Sequence, residues 1–140
     1  MATPPLTTPA RPGYAILFTT AVPLLLGALL SDWAYMRTEN IQWTNFASWL
    51  NAGAMVIIGV ALVWTLLGLI RAGLSHRRAG MTYAILAAAT FVLGFINALI
   101  HAKDAFAAMP AGLIFSVVVF LLALAAVWTG LTTTNKEVRA

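Results

Sequence analysis

Four long apolar runs constrain this chain more than any other feature of its sequence. They cover about residues 14–31, 46–70, 82–101 and 109–130, and each is close to the ~20 residues that an α-helix needs to cross the hydrocarbon core of a bilayer. The 140 residues are 61% hydrophobic and 9% charged, which leaves too little polar surface for a soluble domain. The sequence predicts an all-α integral membrane protein, folded as an antiparallel four-helix bundle.

Residues 13–131 should form this single domain, with a short tail on each side. Residues 1–12 contain four prolines and three threonines and have little to bury, so we expect a flexible tail there, and residues 132–140 form a second polar tail. The first run resembles a signal peptide after Arg11, but Ser31-Asp32-Trp33-Ala34-Tyr35 lacks the pair of small residues that a signal peptidase needs, so we expect an uncleaved helix. Pro23 in its middle predicts a kink.

Aromatic residues mark the first connection, which we expect to be a loop from Asp32 to about Asn45. Trp33, Tyr35 and Trp43 lie in it, and such rings are enriched where a membrane meets water. The second connection, residues 71–80, is basic and contains two glycines. Its composition predicts a tight reversal at a charged surface.

The distribution of basic residues predicts the orientation. Four spans put both termini on one side, and that side would hold six basic residues: Arg11, Arg71, Arg77, Arg78, Lys136 and Arg139. Only Arg37 and Lys103 lie opposite. The positive-inside rule then places both termini in the cytoplasm of a bacterial inner-membrane protein, and Asp32, His101 and Asp104 on its outer face.

Helix three carries a polar stripe that ends at this outer face. At 100° per residue, five small or polar residues fall within an arc of about 80°: Thr90, Gly94, Asn97, His101 and Asp104. Bulky apolar residues occupy the other face: Val92, Phe95, Ile96 and Leu99. In a membrane the polar stripe should turn towards the neighbouring helices and the bulky face towards lipid.

The end of this stripe is a candidate site. His101 and Asp104 lie three residues apart, so they would meet on one helix face, and Asp32 arrives from helix one at a similar depth. One interpretation is a divalent-metal site of His101, Asp104 and Asp32; another is a haem or other cofactor site at His101 and Asn97; a third is a proton relay. The structural alternative is a helix-end pair, with Asn97 bonding between helices.

Several functional classes are poorly supported. The absence of cysteine excludes disulfides, thiolate metal sites and thiol nucleophiles. His76 would lie about 30 Å from His101 across the membrane, so two histidines of one chain cannot hold a haem, although a symmetric dimer still could. The scattered basic residues argue against nucleic acid, Ser48 and Ser116 lack a Gly-x-Ser-x-Gly setting, and no ionisable residue lies at mid-membrane to support transport.

Several short segments, taken together, resemble a known family over about residues 27–130. They are Asp32-Trp-Ala-Tyr-Met-Arg37-Thr38, Trp43, Phe46-Ala-Ser48-Trp49-Leu50, Asn97-Ala-Leu-Ile-His101-Ala-Lys103-Asp104-Ala105 and Pro110-Ala-Gly112-Leu-Ile-Phe-Ser116. The chain is similar to the bacterial four-helix membrane proteins called domain of unknown function 2231. The resemblance implies a fold of four membrane helices. Asp32, His101 and Asp104 match the family pattern, but the family has no settled activity that could be carried over to this chain. Gly68-Leu69-Ile70-Arg71 departs from the family pattern, where an aspartate commonly ends this motif.

The sequence therefore favours a non-enzymatic membrane protein with a small-ligand, metal or haem site on its outer face. The alternative is an accessory or scaffold subunit of a larger membrane complex, and a membrane enzyme is a weaker third hypothesis. The expected partners are the lipid bilayer and either further copies of the chain or a larger complex, and no nucleic acid.

Overall fold

The structure, a computed structural model, describes residues 13–71 and 74–139, with the side chains of 74–79, 105 and 133–139 left out. This part of the chain forms six helices: α1 Gly13–Thr19, α2 Val22–Thr38, α3 Ile41–Arg71, α4 Leu74–His101, α5 Ala105–Ala108 and α6 Ala111–Arg139. By length and composition, four segments could cross a membrane: Gly13–Thr38, Ile41–Arg71, Gly80–His101 and Ala111–Thr132. The predicted all-α bundle of four membrane helices is confirmed. The predicted tail of residues 1–12 lies outside the described residues.

The four spans form a closed ring. Helix α2 packs against α3 and α6, and α4 packs against the same two helices. Small side chains fill much of the interior, and seven alanines are completely buried: Ala21, Ala47, Ala54, Ala61, Ala87, Ala123 and Ala126. They let the helix backbones approach closely, which matters in lipid because burial from water no longer drives helices together.

The surface of the bundle is apolar, as a lipid-facing surface should be. The predicted outward face of α4 is exposed, with Val92, Phe95 and Leu99 all more than half accessible. Thr90 and Asn97 of the opposite stripe are buried against other helices. The predicted orientation of this helix is therefore confirmed.

The predicted kink at Pro23 is present as a break between α1 and α2. Thr20 and Ala21 form a turn in which their backbone N–H groups bond to Leu17 and Phe18, three residues back. Proline has no N–H to donate to the carbonyl four residues earlier, so the regular helical ladder is interrupted at this point.

The first connection is much shorter than predicted. Helix α2 continues to Thr38 and α3 begins at Ile41, so only Glu39 and Asn40 join them. The prediction of a loop from Asp32 to Asn45 is wrong because the interfacial aromatic residues lie on the ends of two helices. Asp32 thus belongs to a span and is buried.

The second connection is also shorter, since α3 ends at Arg71 and α4 begins at Leu74. At the other end of α4 the short helix α5 precedes α6, which continues to Arg139. We call the end of the bundle where α2 meets α3, and where α4 leads through α5 to α6, the distal rim.

Overpacking should distinguish the interior of α3 from its lipid face. Ala54 is completely buried, whereas Ala52, two residues earlier, is exposed. We expect Ala54→Leu to lower the free energy of unfolding by about 1–3 kcal/mol, because the closed ring has no space for the added atoms. Ala52→Leu should leave it nearly unchanged. Unfolding in mixed micelles measures both, and equal effects would contradict the packing described here.

Candidate functional site

Four polar side chains from three helices converge inside the distal rim. Asp32 comes from α2, Asn97 and His101 from α4, and Ser116 from α6. All four are buried, and the side chains of His101 and Asp32 are only 1% and 0% exposed. We call these four residues the distal network.

Asp32 is the centre of the distal network, because both of its carboxylate oxygens are engaged. Its Oδ1 lies 2.7 Å from His101 Nε2, and its Oδ2 accepts a hydrogen bond of 2.5 Å from Ser116 Oγ. Hydrogen bonds to a carboxylate are among the strongest in proteins. One side chain of α2 therefore holds both α4 and α6.

Asn97 completes the connection between α4 and α6. Its Nδ2 donates to Ser116 Oγ over 2.9 Å, so the serine hydroxyl accepts from the amide and donates to Asp32. One turn deeper, Asn51 Nδ2 donates to the carbonyl of Gly94 over 3.1 Å and so joins α3 to α4. Buried polar groups joined in this way can specify one arrangement of helices in lipid.

The imidazole of His101 faces an oxygen on each side. Nδ1 lies 2.9 Å from the backbone carbonyl oxygen of Asn97, which can only accept, so Nδ1 carries a proton. Nε2 faces Asp32 Oδ1, and a hydrogen bond there requires a second proton, on either the ring or the carboxyl group. Both placements leave the pair electrically neutral. Without that proton, two lone pairs would face each other at 2.7 Å.

Gly112 makes room for this imidazole. A Cβ atom at position 112 would lie 3.0 Å from His101 Cε1 and 3.4 Å from Nε2, which is too close for an undisturbed contact. The absence of a side chain lets the ring pack directly on the first turn of α6 and so keeps it in line with Asp32.

The structure brings together three of the four residues that the sequence selected for the site. Asp32, Asn97 and His101 meet, whereas Asp104 is exposed and precedes α5. The expected helical pairing of His101 with Asp104 does not form, because α4 ends at His101 and the chain turns through the next two residues.

The sequence did not predict the role of Ser116, which was considered only as a nucleophile without a Gly-x-Ser-x-Gly setting. The available signal was a lone serine within a long apolar helix, six residues after Pro110. Gly112 was also missed, since only its contact with the ring gives it a role.

The arrangement does not favour a metal or a haem. Among the residues that the structure describes, no group of three or more His, Cys, Asp or Glu side chains is placed to hold a metal ion. Both ring nitrogens of His101 already have protein partners, so ligation to iron or zinc would break one of these contacts. A haem shared between two copies would also need an accessible His101, and this side chain is buried.

Removing the carboxylate should destabilise the protein strongly. Asp32→Ala leaves His101 Nε2 and Ser116 Oγ buried without their acceptor, so we expect the free energy of unfolding to fall by about 3–5 kcal/mol. Asp104→Ala is the matched control, because this carboxylate is exposed, and it should change the value by less than about 0.5 kcal/mol. Unfolding curves in mixed micelles compare the two, and a mild effect of Asp32→Ala would contradict the assigned contacts.

Comparison with known proteins gives one match. A family model described as "Predicted membrane protein (DUF2231)" matches residues 11–138. No curated protein and no solved structure matches the chain. The family model covers nearly the entire chain, and the fold described above has four apolar helices that are long enough to cross a membrane. The chain therefore belongs to the DUF2231 family of membrane proteins.

Proposed function

We propose that this chain is a non-enzymatic protein of the bacterial inner membrane, with both termini in the cytoplasm, whose distal network binds one exchangeable proton. The observation that carries the proposal is the position of the His101 ring, with an oxygen acceptor at hydrogen-bond distance from each nitrogen. The proton between Nε2 and Asp32 keeps the pair neutral and joins α2 to α4. Packing at this rim then depends on the pH of the outer solution.

The way in which the distal network is closed supports a non-enzymatic role. Ser116 directs its hydroxyl at Asp32 and not at an accessible space. His101 has no ring nitrogen available to take a proton from a substrate. A general base or a nucleophile must reach the reacting atom, and these buried groups reach only one another.

The groups around the His101–Asp32 pair support the proposal that pH changes the stability of the protein through this proton. Asn97, Asn51 and Ser116 are uncharged. The charged residues of the same rim are Arg37, Glu39, Lys103 and Asp104, all exposed, so solvent screens their effect on the pair. In the described part of the chain, His101 and Asp32 form the one ion pair.

Stability should decrease as the pH rises. The folded pair needs its shared proton for hydrogen bonding, whereas the unfolded chain releases its histidine protons near pH 6.5. Alkaline solution therefore favours the unfolded chain, by up to about 1.4 kcal/mol per pH unit for one proton. We expect the unfolding midpoint of the wild type to decrease as the pH rises above about 6.5, the ordinary histidine value at which the unfolded chain begins to lose this proton.

Asp32→Asn tests the origin of this dependence. An asparagine amide can donate from Nδ2 to His101 Nε2 and accept from Ser116 through Oδ1, so the network stays satisfied without the exchangeable proton. We expect Asp32→Asn to fold and to lose most of the alkaline decrease in stability, while Asp104→Asn keeps it. An unchanged pH profile in Asp32→Asn would contradict the proposal.

A second candidate function is an accessory or scaffold subunit of a larger membrane complex. The observation in its favour is the exposure of large aromatic side chains, above all Trp49 at 79% and Phe106 at 81%. Purification in a gentle detergent followed by native mass measurement separates the two proposals. A subunit should retain its partners in His101→Ala, whereas a protein that acts through the distal network should show no fixed partner.

A further inference from the structure

A half-open cavity of about 260 Å³ lies at the distal rim. It has a polar and an apolar part, and its walls come from the end of α2, from α5 and from the residues just before α6. The lining residues are Tyr35, Met36, Glu39, Phe106, Met109 and Pro110. The volume suits a small headgroup rather than a folded partner.

Glu39 is the charged group of this cavity, and its position is locally unfavourable. It ends α2 in a left-handed conformation with φ of 53°, and its N–H bonds to the carbonyl of Tyr35 over 2.7 Å. Glycine or asparagine is the usual residue in this conformation. A carboxylate is also disfavoured at the C-terminal end of a helix, where the peptide dipoles are negative. A cation bound in the cavity would offset this second effect.

Among the described residues, no cationic side chain of the protein neutralises the Glu39 carboxylate. Glu39 takes part in no ion pair there, although Arg37 and Lys103 lie at the same rim. The carboxylate is therefore available to a cation from outside the chain. A single carboxylate is a poor site for a metal ion, which needs several ligands.

The remaining walls narrow the class of cation. Tyr35 and Phe106 supply aromatic rings and Met36 and Met109 supply thioethers. Aromatic faces attract organic ammonium groups, and a carboxylate gives a primary ammonium a charge-assisted hydrogen bond. The apolar walls also suit the acyl chain of a lipid. Phe106 is 81% exposed at the bundle surface, where it can contact such a chain.

We propose that this cavity binds the primary ammonium of a phospholipid headgroup, of the phosphatidylethanolamine type. Glu39 pairs with the ammonium. Arg37 is two residues before Glu39 and Lys103 is three residues before Phe106, so these two basic side chains at the same rim are the candidates for pairing with the lipid phosphate. The site is next to the distal network, because a Cβ on Gly112 would meet both Met109 and His101. Lipid binding in the cavity does not require the proton held by the distal network.

Native mass spectrometry of the full chain in detergent, titrated with phosphatidylethanolamine or with phosphatidylglycerol of the same acyl chains, tests this site. We expect the wild type to bind the ethanolamine lipid more tightly. Glu39→Gln should weaken that binding about tenfold or more, the fold-change of one lost charge-assisted hydrogen bond. Asp104→Asn, which alters an exposed carboxylate of the same rim outside the cavity, should leave it unchanged.

Three results would overturn the proposal: equal affinity of the wild type for the two lipids, a preference for phosphatidylglycerol, or undiminished binding to a Glu39→Gln protein with a wild-type unfolding midpoint. Displacement of the lipid by free ethanolamine at matching concentration would assign the cavity to a soluble amine and overturn the lipid assignment. Asp32→Asn should bind the lipid like the wild type, so the lipid site and the proton site can fail separately.

Discussion

A carboxylate buried inside a membrane bundle requires compensation, and the structure meets this requirement through His101. An isolated charge in hydrocarbon is expensive and rare, whereas the neutral Asp32–His101 pair, with Ser116 as a further donor, satisfies both carboxylate oxygens. The partners come from α2, α4 and α6. Losing either side of the pair leaves the other buried and unmatched, so the arrangement of three helices at this rim depends on the hydrogen bonds of one buried carboxylate.

The rest of the bundle supports this contact by close packing. Buried alanines keep the helices near one another, and Gly112 lets the imidazole lie directly on α6. Asn51 adds a further contact deeper in the bundle through the Gly94 carbonyl. Helix α2 contributes by its length, because only its continuation past Leu30 carries Asp32 into the interior as part of a span. Hydrogen bonds at the rim and the close packing of small residues below it thus hold the same arrangement of helices.

Much of this architecture could be predicted from the sequence, because lipid imposes a strict length and polarity on each span. The stripe of Asn97 and His101 followed from helical periodicity in the same way. The register at helix ends did not: Trp33 and Tyr35 are typical of an interface, yet they lie on a helix, and α4 ends before Asp104. Ser116 could not be recognised either, since a serine in a helix can bond its own backbone, and only tertiary structure shows that it faces Asp32.

Solid-state nuclear magnetic resonance can measure the Asp32–His101 contact directly. The chain has two histidines and two aspartates, so His76→Gln with Asp104→Asn leaves one of each for ¹⁵N and ¹³C labelling. In bilayers near neutral pH, our account predicts a dipolar coupling between His101 Nε2 and the Asp32 carboxyl carbon, of the size expected across a 2.7 Å hydrogen bond, together with a protonated Nδ1. The absence of that coupling, or an unprotonated Nδ1, would contradict it.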